Sequence, residues 1–507
     1  MKLGTKETEA EIREIAAPDP VAFVIFGATG DLAKRMLLPA LYRLFAEGAL
    51  TDKLAIVGVA RREMTDDAFR ELVLDAVTSA HPLVDSSHWH RFRDRLYYVS
   101  ADFKKEGDYQ RIGRLLNTVE ERHETRGNRV FYLAVPPSTF EGIISTLGDM
   151  ELVHRNGRDG RGWNRVIIEK PFGHDQASSE RLDALIDRVV GEHNIFRIDH
   201  YLGKETVQNM LVFRFANTVF EPIWNRRYVD NVQITFSESI GIEGRGRFYE
   251  EVGVVRDVLQ SHVFQLLAIV AMEPPTVFDA GEFRNEKAKV LRAIPPVRPE
   301  DVVRGQYGPG TVHGHPVPGY REEEGINPDS NTPTYVAMRL QIENWRWAGV
   351  PFYLRAGKRM AEKDTEVVVV FRQPPLRLFK DYDMSEMGPN VLILNTTQDE
   401  RISLGFGARV PGHRRKIRTV PLDFSYDSVG EAEHPPYEHL LLEALRGNQR
   451  FMPRRDEVEL QWAIVDPLLR HWEDHAPRSF PNYPAGSWGP QGANRLLERD
   501  GRRWRGD

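Results

Sequence analysis

The chain has no cysteine among its 507 residues, which excludes disulfides, cysteine-ligated zinc, iron–sulfur clusters and thiol nucleophiles. Chemistry is left to histidine, carboxylates, lysine or a bound cofactor, and no metal site is expected. Unbroken apolar runs fall short of the ~18 residues that a membrane span needs. Neither sign of charge dominates, since 68 Lys+Arg stand against 74 Asp+Glu for a formal net charge of −6. No nucleic-acid partner and no membrane partner is therefore expected. The first twenty residues, MKLGTKETEAEIREIAAPDP, are charged and lack the apolar centre of a signal peptide, so the expected location is cytoplasmic. With 41% hydrophobic residues, the length allows about three domain-sized cores at roughly 150 residues each.

From Val21 to Ile198 short apolar runs alternate with longer amphipathic stretches. The runs are VAFVIF (21–26), LAIVGVA (54–60), LYYVSA (96–101), RVFYLAV (129–135), NRVIIE (164–169) and NIFRI (194–198). Continuous apolar runs separated by helical segments read as buried parallel strands with crossover helices. The expected fold of this part is a doubly wound α/β, Rossmann-like domain over 21–198, preceded by a tail over 1–20.

After Asp199 the rhythm changes. VQITFSE (232–238) and YVAMRLQI (335–342) alternate apolar with polar or small residues, as expected of strands buried on one face in an antiparallel sheet. Further strands are expected over 366–372, 391–395 and 401–406, and helices over 254–272, 437–446 and 456–473. Residues 199–507 thus read as a larger α+β domain with a mainly antiparallel sheet. The Pro/Gly-rich stretches 294–333 and 474–491 read as long surface loops.

Three concentrations of residues carry chemistry. First, the opening strand runs into Gly27-Ala28-Thr29-Gly30-Asp31-Leu32-Ala33. A glycine turn between strand and helix lets the backbone approach a pyrophosphate, whose charge then meets N–H groups at the helix start. The spacing departs from the standard G-x-G-x-x-G, and its place after the first strand of a βα series is what points to a nucleotide. The second strand ends in Arg61-Arg62, where a planar guanidinium suits a ribose 2′-phosphate, so NADP is expected over NAD.

Second, Glu169-Lys170-Pro171-Phe172-Gly173 closes the fifth strand and Arg197-Ile198-Asp199-His200-Tyr201-Leu202-Gly203-Lys204-Glu205 the sixth. Open α/β sheets bind ligands beyond the carboxyl ends of their strands. His200 and Lys204 lie close enough in sequence to form a phosphate or carboxylate cradle. Third, His262 lies on the apolar face of the helix VVRDVLQSHVFQLLAIVAM. Taken alone it reads as a hydrogen-bonded core histidine; with an orienting carboxylate it becomes a general base.

The blocks GATGDLAKR, IIEKPFG, RIDHYLGKE, EGRGRFYEEVGVVRDVLQSH and NWRWAGVPFYLRAGKRM resemble the glucose-6-phosphate dehydrogenase family, in the family's order, from about Val21 to YPAGSWGP (483–490). The resemblance implies oxidation of glucose 6-phosphate at C1 to the 1,5-lactone with hydride transfer to NADP, the first step of the oxidative pentose phosphate pathway. It implies that His262 takes the C1 hydroxyl proton and that Asp199 pairs with it. His200, Tyr201 and Lys204 would hold the phosphate, and Glu238, Asp257 and Lys358 would bind sugar hydroxyls and the phosphate side. Lys170 would lie between coenzyme and substrate. Lys363 stands where some members carry arginine. In the coenzyme domain the resemblance assigns Gly27, Thr29, Gly30, Asp31, Leu32 and Lys34 to the pyrophosphate turn, Arg61 to the 2′-phosphate and Asp102 to a further coenzyme contact. It also implies a homodimer or homotetramer formed through the large sheet.

Animal members have a second, structural NADP site in the C-terminal domain; the basic run His413-Arg414-Arg415-Lys416 is assigned instead to solvent or an oligomer contact. Two other readings share the fold: an oxidoreductase of unphosphorylated sugars, which needs no His200/Lys204 cradle, and a non-catalytic NADP sensor, which needs neither Asp199 nor His262.

Overall fold

The computed structural model describes residues 17–153, 162–376, 378–397, 401–413, 415–425, 435–477 and 479–505. These divide into two units: the described residues of Met1–Gly173, Ala177–Gly203 and His434–Arg455 in the first, and those of His174–Gln176, Lys204–Glu433 and Asp456–Asp507 in the second. The segment around 434–455 thus folds with the first unit, a return that the sequence split at 198/199 does not include. Arg414 lies outside the described residues.

The first unit is built on β1 (Val21–Phe26), β2 (Leu54–Ala60), β3 (Leu96–Ser100), β4 (Arg129–Leu133), β5 (Asn164–Glu169) and β6 (Ile195–Ile198). They form one sheet in the order β3-β2-β1-β4-β5-β6, with every pair parallel. All residues of β1 and β2 are buried, which is why both strands read as unbroken apolar runs. The strand order reverses between β1 and β4, the place where such sheets open a ligand crevice at their carboxyl ends. Helix Pro436–Arg446 buries Tyr437, Leu440, Leu441, Ala444 and Leu445 in this unit. It packs so closely that a Cβ on Gly203 would lie 2.6 Å from Pro436 O.

The second unit holds a nine-stranded sheet of β7 (Val229–Ser237), β8 (Val302–Gly305), β9 (Tyr335–Leu340), β10 (Phe352–Gly357), β11 (Asp364–Phe371), β12 (Asp383–Glu386), β13 (Val391–Asn395), β14 (Arg401–Arg409) and β15 (Lys416–Ser425). The order is β12-β15-β14-β13-β11-β7-β10-β9-β8. Most pairs are antiparallel, but β7 and β10 run parallel, as do β12 and β15. The alternation in β7 suggested a solvated face carrying Gln233, Thr235 and Ser237. All three are buried instead. The C-terminal segment covers Gln233, whose Nε2 donates to Arg503 O at 3.0 Å and whose Oε1 accepts from Arg505 N–H at 2.9 Å, while the Ser237 hydroxyl donates to Glu362 O. Arg355 Nε donates to Thr235 Oγ1 at 3.0 Å, with its guanidinium 4.7 Å from the ring centroid of Trp488 and 4.4 Å from that of Trp504.

The two Pro/Gly-rich stretches are likewise not simple surface loops. Tyr307 and Tyr320 from the first and Tyr483 from the second sit in one buried cluster with Tyr249, Tyr335 and Tyr353. Tyr307–Gly308 pairs in parallel with Tyr483–Pro484.

The helix expected over 254–272 is longer and less regular. It comprises an α-helix Gly246–Val254, a π-helix Val255–Val263 and an α-helix Phe264–Ala271, with a break at Gly253 (φ 59°). By length and hydropathy the run Gly246–Ala271 is enough to cross a bilayer, yet 89% of its most apolar window is buried in the fold, as in a core helix.

Candidate active site

In the first unit the glycine turn follows β1 directly. Gly27 has φ 83°, and a Cβ there would lie 2.2 Å from Ala134 O. No side chain fits against that backbone carbonyl, so the position demands glycine for both conformation and space. Gly27 N–H donates to Val59 O and Gly30 N–H to Gly27 O, each at 2.8 Å. Thr29, Asp31, Leu32 and Lys34 follow on this turn and the first helical residues, with Asp31 and Lys34 exposed. An open groove of about 690 Å³ beside them is lined by Asp31, Lys34, Arg35, Arg62 and Met64 and by the helix Asp66–Ala80.

Arg62 lines this groove; Arg61 is exposed and is not among the lining residues. Tyr98 buttresses the arginine pair by donating its hydroxyl to Arg62 O. Asp102 is engaged in its own loop: its Oδ1 accepts from Lys104 N–H at 3.1 Å, and its N–H donates to Asp108 Oδ2 at 2.7 Å. A glycine-floored turn beside a groove with lysine and arginine fits a nucleotide carrying an extra phosphate.

At the carboxyl ends of β5 and β6 the same unit gathers Lys170, Asp199, His200 and Tyr201. Asp199 is 1% exposed, and its Oδ1 accepts from Tyr201 N–H at 3.0 Å. This bond tightens the 3₁₀ turn His200–Gly203. The rings of His200 and Tyr201 lie 5.0 Å apart.

In the second unit, Lys358 just after β10 is buried, and its Nζ donates to Glu238 Oε2 at 2.6 Å. Asp257 Oδ2 is 3.8 Å from the same ammonium. The Tyr249 ring lies beneath it, with 5.3 Å from Nζ to the centroid. One cation held between two carboxylates leaves further carboxylate lone pairs to accept from a polyol, and ammonium protons to donate. Burial and the neighbouring Asp257 and Glu238 carboxylates push the Tyr249 phenol well above its ordinary pKa, so it stays protonated.

Asp257 and His262 share the π-helix. Residues five apart lie about 140° apart around a regular α-helix. A π-helix closes i→i+5 bonds and brings such residues closer to one face, here with Phe264 N–H donating to Leu259 O. His262 is 2% exposed and stacks on Phe236, centroids 5.9 Å apart and planes at 14°. Lys204 Nζ donates to Thr396 O at 3.1 Å, and Lys363 is exposed on the turn before β11.

The structure thus brings together Lys170, Asp199, His200 and Tyr201 in one unit and Glu238, Asp257 and Lys358 in the other. Asp199 and His262 belong to different units. Sequence reasoning did not reach Tyr249, Phe236 or the two tyrosines that bond Glu169, and it placed Arg61 ahead of Arg62. The one available signal was weak: Tyr249 is an aromatic inside the otherwise charged GRGRFYEE.

Two family models match the chain: "Glucose-6-phosphate dehydrogenase, NAD binding domain" over residues 24–209 and "Glucose-6-phosphate dehydrogenase, C-terminal domain" over 211–505. A glucose-6-phosphate 1-dehydrogenase of Chlamydia pneumoniae is 47% identical over 491 residues, covering 96% of each chain. Among solved structures, a glucose-6-phosphate dehydrogenase in complex with its substrate glucose-6-phosphate superposes with a TM-score of 0.87 at 34% identity, covering 97% of this chain and 100% of that one. A glucose-6-phosphate 1-dehydrogenase from Mycobacterium avium gives 0.82 at 37% identity, covering 97% and 99%.

Proposed function

The chain belongs to the glucose-6-phosphate dehydrogenase family, and on that premise we propose that it oxidises glucose 6-phosphate at C1 to 6-phosphoglucono-1,5-lactone with NADP as acceptor. The observation that carries this reading is the buried Lys358 ammonium between Glu238 and Asp257, with Asp257 on the same π-helix as His262. It is a polyol-binding cluster beside a histidine able to act as base. Bound NADP supplies the hydride acceptor. His262 takes the proton from the C1 hydroxyl, and Asp199 orients the imidazole and favours its protonated form. Glu238, Asp257 and Lys358 hold the sugar hydroxyls. His200, Tyr201 and Lys204 hold the phosphate, with Lys363 at its exposed side, and Lys170 lies between sugar and coenzyme. Gly27, Thr29, Gly30, Asp31, Leu32 and Lys34 form the pyrophosphate turn. Arg61 and Arg62 read the 2′-phosphate, and Asp102 shapes the loop beside it.

Residues 21–198 carry the coenzyme and 199–507 the substrate and the oligomer contact, although 199–203 and 434–455 fold with the first unit. A homodimer or homotetramer through the second sheet is supported by β14 and β15, where Phe406, Leu422 and Phe424 are exposed. Work in the cytoplasm accords with a phosphorylated sugar, whose charge keeps it on the side of the membrane where it is made.

The test mixes protein, NADP and sugar while following NADPH absorbance. Glucose 6-phosphate is expected to give far higher specificity than glucose. Equal rates on both sugars point to an unphosphorylated substrate, and no NADPH with either overturns the reading.

A further inference from the structure

At the carboxyl end of β5 the first unit keeps a carboxylate that the reaction above does not use. Glu169 directly precedes Lys170. Its Oε1 accepts two phenolic hydrogen bonds, from Tyr132 of β4 at 2.5 Å and from Tyr437 at 3.0 Å. Tyr437 arrives from the opposite end of the sequence, on the first turn of helix Pro436–Arg446. Its ring lies parallel to the His200 imidazole, planes at 8° and centroids 6.3 Å apart. The turn carrying His200 is pressed against this helix, since Gly203 meets Pro436 O and Leu440 with no room for a side chain. One tyrosine therefore spans the ends of two strands: its ring backs His200 after β6, and its hydroxyl reaches the carboxylate closing β5.

We propose that Tyr437 and Glu169 are positioning residues for the sugar phosphate, with Tyr437 holding the His200 imidazole in place and Glu169 anchoring the Tyr437 hydroxyl beside Lys170. This rests on the reading of His200 and Lys170 as substrate contacts. The groups that face Glu169 are Tyr132 from β4, Tyr437 from the C-terminal helix, Lys170 next to it in the chain and Asp199 at the end of β6. Burial pushes its carboxyl up, the two phenols and Lys170 pull it down and Asp199 pushes it up, leaving it at about 7. Burial, together with the neighbouring carboxylates, also pushes both phenols up, so they remain protonated donors.

A carboxylate accepts these bonds more strongly than a neutral carboxyl does. Protonation therefore loosens the anchor on Tyr437 and removes the charge beside Lys170. The KM for glucose 6-phosphate rises as the pH falls through this ionisation, over and above the step due to the phosphate itself.

The experiment measures KM and kcat against pH for glucose 6-phosphate and for glucose in wild type, Glu169→Gln and Tyr437→Phe, with thermal unfolding of each. Glutamine copies the protonated carboxyl, so E169Q is expected to raise the glucose 6-phosphate KM by about tenfold near pH 8, the order of one weakened hydrogen bond to a charged group. It should erase one pH step and leave the glucose KM nearly unchanged. Y437F keeps the stacked ring but removes one donor to the carboxylate, which makes ionisation harder and moves the step to higher pH. The proposal is overturned if E169Q keeps the wild-type KM and pH profile, or if it loses activity on both sugars equally along with melting temperature. A wild type inactive on glucose 6-phosphate would instead sink the functional reading itself.

Discussion

The two units hold their site residues by different physical means. In the coenzyme unit the key geometry is backbone: Gly27 at φ 83° against Ala134 O, and N–H groups at the start of a helix. In the second unit it is side-chain charge: Lys358 between Glu238 and Asp257, with Tyr249 below. Backbone geometry recognises any pyrophosphate and is insensitive to which polar side chains surround it. A charge cluster is specific for its polyol and depends on every member. Substitutions in the second unit should therefore cut deeper into the reaction than those around the coenzyme groove.

The largest effect is expected at His262. His262→Asn should lower kcat by roughly 10²–10⁴-fold, the usual worth of a positioned base, with both KM values nearly unchanged. Steady-state kinetics checks this, and near wild-type turnover would remove His262 from the chemistry. Next comes Lys204→Ala, which should raise KM for glucose 6-phosphate by roughly 10–150-fold, the range for a lost hydrogen bond to a charged group, while scarcely touching that for glucose. Equal losses on the two sugars would place Lys204 away from the phosphate.

A smaller effect is expected in the coenzyme groove. Because Arg62 lines it and Arg61 stands exposed beside it, each single alanine variant should cost NADP a few-fold by partial substitution of one arginine for the other. The pair Arg61→Ala/Arg62→Ala should lose about 1.5–3 kcal/mol with NAD unaffected. Specificity constants for both coenzymes on one preparation decide it, and an unchanged NADP:NAD ratio would move the 2′-phosphate elsewhere.

The same contrast explains what the sequence revealed. The six strands of the first sheet were legible because helices bury both of their faces, leaving runs such as VAFVIF with no polar interruption. The Gly27 turn was legible from its place after the first run. In the second unit, Gln233, Thr235 and Ser237 alternate as a solvated face would, and they are covered by residues more than a hundred positions away: the terminal arginines at Gln233, Arg355 with Trp488 and Trp504 at Thr235, and Glu362 at Ser237. Tyr307, Tyr320 and Tyr483 sat in Pro/Gly-rich stretches whose composition speaks of turns and not of the tyrosine core they build. The π-helix was invisible because VVRDVLQSHV also satisfies the α period. Nor does an amphipathic helix name its partner, so nothing in HPPYEHLLLEALR announced that Tyr437 returns to Glu169 and His200. Site residues were legible one by one; the members of each cluster that act on one another were not.

The proposed pairing of Asp199 with His262 is tested most directly by a double-mutant cycle. The kcat of Asp199→Asn, His262→Asn and the double variant would be measured against wild type at saturating glucose 6-phosphate and NADP. If the carboxylate acts through the imidazole, its loss matters only while the imidazole is present, so the double variant is expected to be no slower than His262→Asn alone. Losses that multiply would contradict the pairing and leave Asp199 with an independent role.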